Sequence, residues 1–164
     1  MAARNPYLKP SRLGDVIAAI TALGSHAVFR LEAGGWADRI SGSPESAQHW
    51  EAVFREHPEF FRVGGDGIHF SLVWRRQFPR IYDIELGAEI GADKLGGISR
   101  DQLGRRPLSP SEITALIGVA IDLHERALAQ EKASKWWIPV ATSFLAFVGA
   151  LIGALIVSAR RQMP

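Results

Sequence analysis

The longest apolar stretch of the chain covers residues 136–159 and contains no ionisable residue. A helix rises about 1.5 Å per residue, so about 20 apolar residues cross a hydrocarbon layer about 30 Å thick. The stretch therefore predicts one transmembrane helix, followed by a short tail over residues 160–164; a buried helix in a soluble core is the less favoured interpretation. The residues predicted to lie at the membrane interface are of the aromatic and basic types enriched there: Trp136, Trp137, Arg160 and Arg161.

Small residues repeat at three- and four-residue spacing inside this predicted span. Such residues let two helix backbones approach closely, which is a main route to helix association in lipid. The pattern predicts packing against a second copy or against a membrane protein partner, although such spacings also arise by chance in apolar segments. The predicted packing residues are Ala146, Gly149, Ala150 and Gly153.

Shorter apolar patterns predict an α+β domain over residues 11–80, preceded by an arm over residues 1–10. Apolar residues at three- and four-residue spacing predict helices, and alternating ones predict strands. The predicted elements are a helix that begins at Ser11 and ends at Gly24, a strand over 27–31, a short helix over 36–40, a helix between Ser43 and Pro58, and a hairpin of 61–63 with 68–75. Trp36, Trp50, Phe61 and Trp74 are predicted core residues.

The order helix, strand, helix, helix, strand, strand resembles a winged-helix domain, a relative of the helix-turn-helix group, over about residues 11–76. The resemblance rests on element order and patterning. It implies either DNA binding or a protein-docking role. Residues 49–61 and 71–76 are also similar to a recurrent set of small bacterial membrane proteins, which implies a single-pass protein of the inner membrane.

Two further segments separate this domain from the predicted span. Repeated glycines over residues 81–108 predict a connector with a short helix after Ser99. The sequence Ser109-Pro110-Ser111-Glu112 has the pattern of a capping box with proline at the first helical position. It predicts an amphipathic juxtamembrane helix over residues 109–135, whose apolar face packs on the domain or continues the association of the span.

The composition excludes some functional classes for this chain. The 164 residues carry 19 basic and 17 acidic side chains, a formal charge of +2 that does not by itself imply a polyanion partner. No cysteine is present, which excludes disulfides, thiol catalysis and cysteine-ligated zinc. The first ten residues lack the apolar run of a signal peptide. We therefore expect residues 1–135 to lie in the cytoplasm.

No catalytic, cofactor-binding or metal-binding residue is predicted. The five histidines lack the spacing of a metal site, and His57 is expected to be packed or capping. The Gly64-Gly65-Asp66-Gly67 turn lacks the lysine and the following helix of a phosphate-binding loop, and no nucleophile motif occurs. The sequence therefore favours a protein that is not an enzyme.

The remaining functional prediction is an interaction module. Three carboxylates and one arginine on the non-core face of the third predicted helix disfavour contact with nucleic-acid phosphate. The predicted function is that of an adaptor or accessory subunit that binds the bilayer and a membrane protein partner. The alternative is a membrane-tethered transcription regulator. The predicted partner-binding residues are Arg75, Arg76 and Arg80.

Overall fold

Four α-helices and six short strands form the α+β fold of the computed structural model, which describes residues 5–91, 93–99 and 101–134. The helices are α1 (Arg12–Ser25), α2 (Ala33–Ser41), α3 (Ala47–Glu56) and α4 (Pro110–Ser134). The strands are β1 (Leu31–Glu32), β2 (Phe61–Val63), β3 (His69–Leu72), β4 (Tyr82–Asp83), β5 (Ala88–Glu89) and β6 (Leu103–Gly104). Short 3-10 helices cover Pro6–Leu8, Pro44–Ser46, Trp74–Gln77 and Leu95–Gly97.

The first sheet is antiparallel and has the order β1-β3-β2. Phe61 lies opposite Leu72 and Val63 opposite Phe70, so the predicted hairpin is confirmed. Asp66 stabilises its turn by accepting hydrogen bonds from the N–H groups of Ile68 and His69 at 3.1 and 3.2 Å.

The core lies between α1, α2, α3 and one face of this sheet. The predicted core positions Trp36, Trp50 and Phe61 are buried, and the Trp36 indole N–H donates to the carbonyl oxygen of Phe70 at 3.0 Å. The prediction for Trp74 is wrong, because its side chain is 46% exposed. Strand β3 ends at Leu72 and a 3-10 turn begins at Trp74, so the alternation of a strand no longer applies there.

One predicted helix cap is confirmed, and the predicted cap of α1 is not. At α4 the capping box is present, because the Ser109 N–H donates to Glu112 at 2.7 Å and the Glu112 N–H donates to the Ser109 hydroxyl at 3.3 Å. Ser11 precedes α1 but its side chain makes no cap bond. An N-cap residue normally has an extended backbone, whereas Ser11 has a φ of 61°.

The predicted connector contains a second antiparallel sheet, with the order β5-β4-β6. Tyr82 pairs with Glu89 and with Gly104, so the segment is not a featureless linker. The short helix lies at Leu95–Gly97, before Ser99 and not after it. Each strand of this sheet has only two residues. That length is too short to produce a recognisable alternation in the sequence.

Helix α4 begins against the end of α1. The Leu108 N–H donates to the carbonyl oxygen of Gly24 at 2.9 Å. A Cβ atom added to Gly24 would lie 3.1 Å from Cγ1 of Ile113, which is a tight contact. Glycine at that position therefore allows the two helices to approach, and the start of α4 packs on the domain.

None of the helices within residues 5–91, 93–99 and 101–134 is long and apolar enough to cross a membrane. The predicted transmembrane helix over residues 136–159 lies outside the residues that the structure describes, as does the tail over 160–164.

The side chain of Arg75 is fully buried, and it donates hydrogen bonds to the carbonyl oxygens of five backbone groups. Its acceptors on one side are at the end of α1 and just after it: Leu23 at 2.9 Å, His26 at 2.7 Å and Ala27 at 3.2 Å. Its acceptors on the other side follow β6: Arg105 at 2.5 Å and Arg106 at 3.1 Å. The guanidinium group therefore joins two segments that are far apart in sequence.

We expect Arg75→Leu to reduce the free energy of unfolding by about 3 kcal/mol or more, because each buried polar group left without a partner costs about 1–3 kcal/mol. Arg75→Lys should give a smaller loss, since an ammonium group offers three donors where a guanidinium offers five. Urea unfolding of the full chain in an uncharged detergent, followed by tryptophan fluorescence, measures both. The matched control is Arg76→Leu at the neighbouring exposed position, which should change the free energy by no more than about 0.5 kcal/mol. Equal losses at positions 75 and 76 would contradict the anchoring role of Arg75.

The capping box of α4 should make stability depend on pH. Hydrogen bonds from Arg106 and from the Ser109 N–H lower the pKa of Glu112 from 4.5 to about 2. A lowered pKa contributes stability that is present above pH 4.5 and is lost as the pH falls towards 2. Glu112→Gln should therefore lower the melting temperature at pH 7, and the difference from the parent should shrink between pH 4.5 and 2. A difference that is independent of pH would contradict the assignment.

Candidate functional site

Three arginines, Arg76, Arg80 and Arg105, form one continuous basic region that we name the arginine surface. Arg76 lies in the 3-10 helix directly after the buried Arg75, and Arg80 lies between that helix and β4. Arg105 directly follows β6, and its carbonyl oxygen accepts a bond from Arg75. The buried guanidinium group of Arg75 thus holds the segment of Arg105 beside that of Arg76.

Hydrogen bonds to the backbone hold the side chains of this surface. Arg105 donates from Nη1 to the carbonyl oxygens of Arg76, at 2.7 Å, and of Phe78. Arg80 donates from Nη2 to the carbonyl oxygen of Leu103 at 3.0 Å. The side chains of Arg80 and Arg105 are therefore positioned before any partner is present, which reduces the entropy lost on binding.

An aromatic ring lies beneath two of the three arginines. The guanidinium carbons of Arg80 and Arg105 lie 5.4 and 5.7 Å from the centre of the Phe29 ring. Both distances are within the range of a cation–π interaction. Phe29 therefore keeps the two cationic groups close together despite their like charge.

The electrostatic environment is unfavourable for so many cations. Burial lowers the pKa of Arg105, and the positive charges of Arg76 and Arg80 lower it further. Arg76 and Arg80 are exposed to solvent. An anionic group bound here would relieve the mutual repulsion, and planar guanidinium groups suit two-point binding of a carboxylate or phosphate.

A groove of about 310 Å³ adjoins the arginine surface. Its lining includes Phe29, Arg80 and Asp101. On another side it is lined by Arg30 and His69, both of which contact Asp66. The charges of Arg30 and Asp66 offset each other on that side of the groove.

Arg106 follows Arg105 in the chain but has a structural role. Its guanidinium group makes a two-point ion pair with Glu112, with N–O distances of 2.9 and 2.8 Å. It also lies 3.8 Å from the centre of the Phe78 ring. Arg106 is therefore already compensated and does not belong to the arginine surface.

Arg76 and Arg80, two of the three predicted partner-binding residues, are exposed. The prediction that Arg75 contacts a partner is corrected, because its side chain is fully buried. Arg105 is not among the residues that the sequence predicted. The predicted packing residues Ala146, Gly149, Ala150 and Gly153 and the interface residues Trp136, Trp137, Arg160 and Arg161 lie outside the described residues.

His57 is fully buried, as the prediction of a packed histidine requires. Its ring makes an edge contact with Tyr7 at 4.5 Å, and its Nδ1 lies 3.0 Å from Oε1 of Glu59. The Tyr7 hydroxyl donates to the same oxygen at 2.5 Å, and burial raises the pKa of Tyr7. Tyr7 belongs to the core, although no pattern in the predicted arm indicates it. Among the described residues, no group of three or more potential metal ligands is present.

Comparison of the chain with models of protein families, with curated proteins and with solved structures finds no match.

We expect Arg76→Gln to leave the free energy of unfolding unchanged or to raise it by up to about 0.5 kcal/mol, because it removes a charge that repels Arg105. The effect should be larger at low ionic strength, where exposed charges are less screened. Urea unfolding at two salt concentrations measures both effects. Arg106→Gln is the matched control and should lower stability, because it breaks the ion pair with Glu112. A clear loss of stability in Arg76→Gln would mean that this arginine is structural.

Proposed function

We propose that the chain is a membrane-anchored, non-catalytic interaction module, an adaptor or accessory subunit of a membrane complex. The single observation that carries this proposal is the arginine surface, where Arg76, Arg80 and Arg105 gather on a fixed backbone. The anchor is the apolar stretch over residues 136–159, and the described domain would lie on the cytoplasmic side of a bacterial inner membrane.

The energetics of the arginine surface support a binding role. Burial lowers the pKa of Arg105, and the like charges of Arg76 and Arg80 lower it further, so gathering these arginines disfavours the folded state. Residues kept at a cost to stability are commonly those that function requires. An acidic segment of a membrane protein partner would supply the compensating charge and would be guided to the site by electrostatic attraction.

The element order supports a winged-helix-like domain used for docking. Along the chain, α1, β1, α2, α3, β2 and β3 follow the order helix, strand, helix, helix, strand, strand. This domain would supply a rigid base, and the segment from Trp74 to Arg106 would present the arginines.

The alternative, a tethered transcription regulator, is less well supported. A winged-helix regulator would place α3 against DNA, and the charges around α3 are already paired. Arg55 makes an ion pair with Glu51 at 2.8 Å. Glu56 accepts a hydrogen bond from Lys9 at 2.5 Å and makes an ion pair with Arg12 at 3.1 Å. The exposed Glu45 adds a negative charge just before α3. Such a face would not attract the phosphate backbone.

Site-specific photo-crosslinking in native membranes tests the proposal. A benzophenone amino acid at position 76 should give an adduct of one defined mass with a membrane protein. Adding Arg80→Glu should reduce its yield about tenfold or more, because like charges placed across an interface cost several kcal/mol. The control site is Arg39, an exposed arginine on α2 outside the arginine surface.

Two outcomes would contradict this function. Adducts that are the same from positions 76 and 39 would mean that the arginine surface selects no partner. Salt-dependent binding of duplex DNA by the full chain in an uncharged detergent, lost in Arg76→Glu, would instead support the regulator.

A further inference from the structure

We propose that the outer edge of β2 binds an extended acidic segment of a partner protein by strand pairing. This site is separate from the arginine surface, and it requires backbone groups as well as charge. In the first sheet β3 is the central strand, so β2 has a strand partner on one side only within the part of the chain that the structure describes.

The hydrogen-bond pattern shows which backbone groups point outwards. The Val73 N–H donates to the Phe60 carbonyl oxygen at 2.8 Å, and the Gly64 N–H donates to the His69 carbonyl oxygen at 2.7 Å. In an antiparallel pair the bonded positions alternate. Positions 60, 62 and 64 therefore face β3, and positions 61 and 63 face away from it.

An incoming strand would meet one donor and two acceptors on this edge. The Phe61 N–H already donates to the carbonyl oxygen of His57 at 3.0 Å. The groups directed outwards are therefore the carbonyl oxygen of Phe61 and both the N–H and the carbonyl oxygen of Val63. Such an edge is a template for another strand, and pairing of this kind is a common mode of peptide recognition.

A groove next to the edge offers side-chain contacts. It has a volume of about 350 Å³, and its apolar lining comes from the end of α3, from the turn after it and from the hairpin. The apolar lining residues are Phe54, Pro58, Phe61, Val63 and Val73. Val73 is 38% exposed. Alternate apolar side chains of a bound strand would lie in this groove, because successive residues of a strand point to opposite faces.

Charge selects an acidic partner. Two arginines line the same groove, Arg55 and Arg62. Arg55 is paired with Glu51, whereas Arg62 is exposed in the middle of β2. A second copy is disfavoured, because antiparallel pairing of two β2 strands about their middle would place Arg62 opposite Arg62, and like charges directly opposite are destabilising.

The test measures binding of a fluorescein-labelled peptide of alternating glutamate and valine to the full chain in an uncharged detergent, by fluorescence anisotropy. Val63→Pro removes the outward N–H and leaves the bonds of β2 to β3 in place. Both Val63→Pro and Arg62→Glu should weaken binding about fivefold or more, as expected for the loss of one hydrogen bond or charge contact of about 1 kcal/mol. Arg39→Glu, at an exposed position on α2 outside both surfaces, is the matched control and should bind as the parent does.

Two peptide controls keep the test independent of whether the variants fold. A peptide of alternating lysine and valine should bind more weakly than the acidic one, and methylation of alternate backbone nitrogens in the acidic peptide should abolish binding. Equal binding of acidic and basic peptides, or no effect of N-methylation, would overturn the proposal. A dimer of the parent that Val63→Pro dissociates would also overturn it and would assign the edge to a second copy. Binding that is lost in Arg76→Glu but kept in Val63→Pro would overturn the proposal and place the acidic peptide on the arginine surface. Failure here and failure of the adaptor function are therefore distinguishable.

Discussion

The buried guanidinium group of Arg75 is the interaction on which the rest of this domain depends. A buried charge is costly unless it is paired and hydrogen-bonded, and here the compensation comes from carbonyl dipoles at the end of α1 and after β6. Burial lowers the pKa of Arg75 to about 10, so the group remains a cation at neutral pH. Because the guanidinium group offers five N–H donors in a fixed plane, it can join both segments at once, which a smaller cation could not do.

This anchor also decides which arginines face solvent. Arg75 and Arg76 are neighbours in the 3-10 helix after β3, and only the first is directed into the protein. By accepting from Arg75, the backbone of Arg105 is held near Arg76, and the Arg105 side chain then donates back to the carbonyl oxygen of Arg76 at 2.7 Å. The cationic surface is therefore a direct consequence of how the interior is bonded.

The two proposed binding surfaces depend on different kinds of interaction. The arginine surface depends on charge that the backbone holds in place, so its contacts should weaken as salt screens them. The edge of β2 depends on main-chain groups of Val63 and Phe61 and on an apolar groove, with Arg62 selecting the sign of the charge. A partner with one acidic segment and one extended segment could occupy both, and the full chain would then bind it through two weak contacts that reinforce each other.

The sequence by itself determined the features that depend on near neighbours. The glycine-rich turn between β2 and β3, the capping box of Ser109 and Glu112, and the buried face of α3 all follow from residues within a few positions of each other. Tertiary structure decided what depends on distant groups. Arg75 and Arg76 are the same residue type, and only carbonyl oxygens about 30 and 50 positions away distinguish them. The second sheet pairs strands of two residues, whose stability comes from their neighbours in space and not from any pattern of their own.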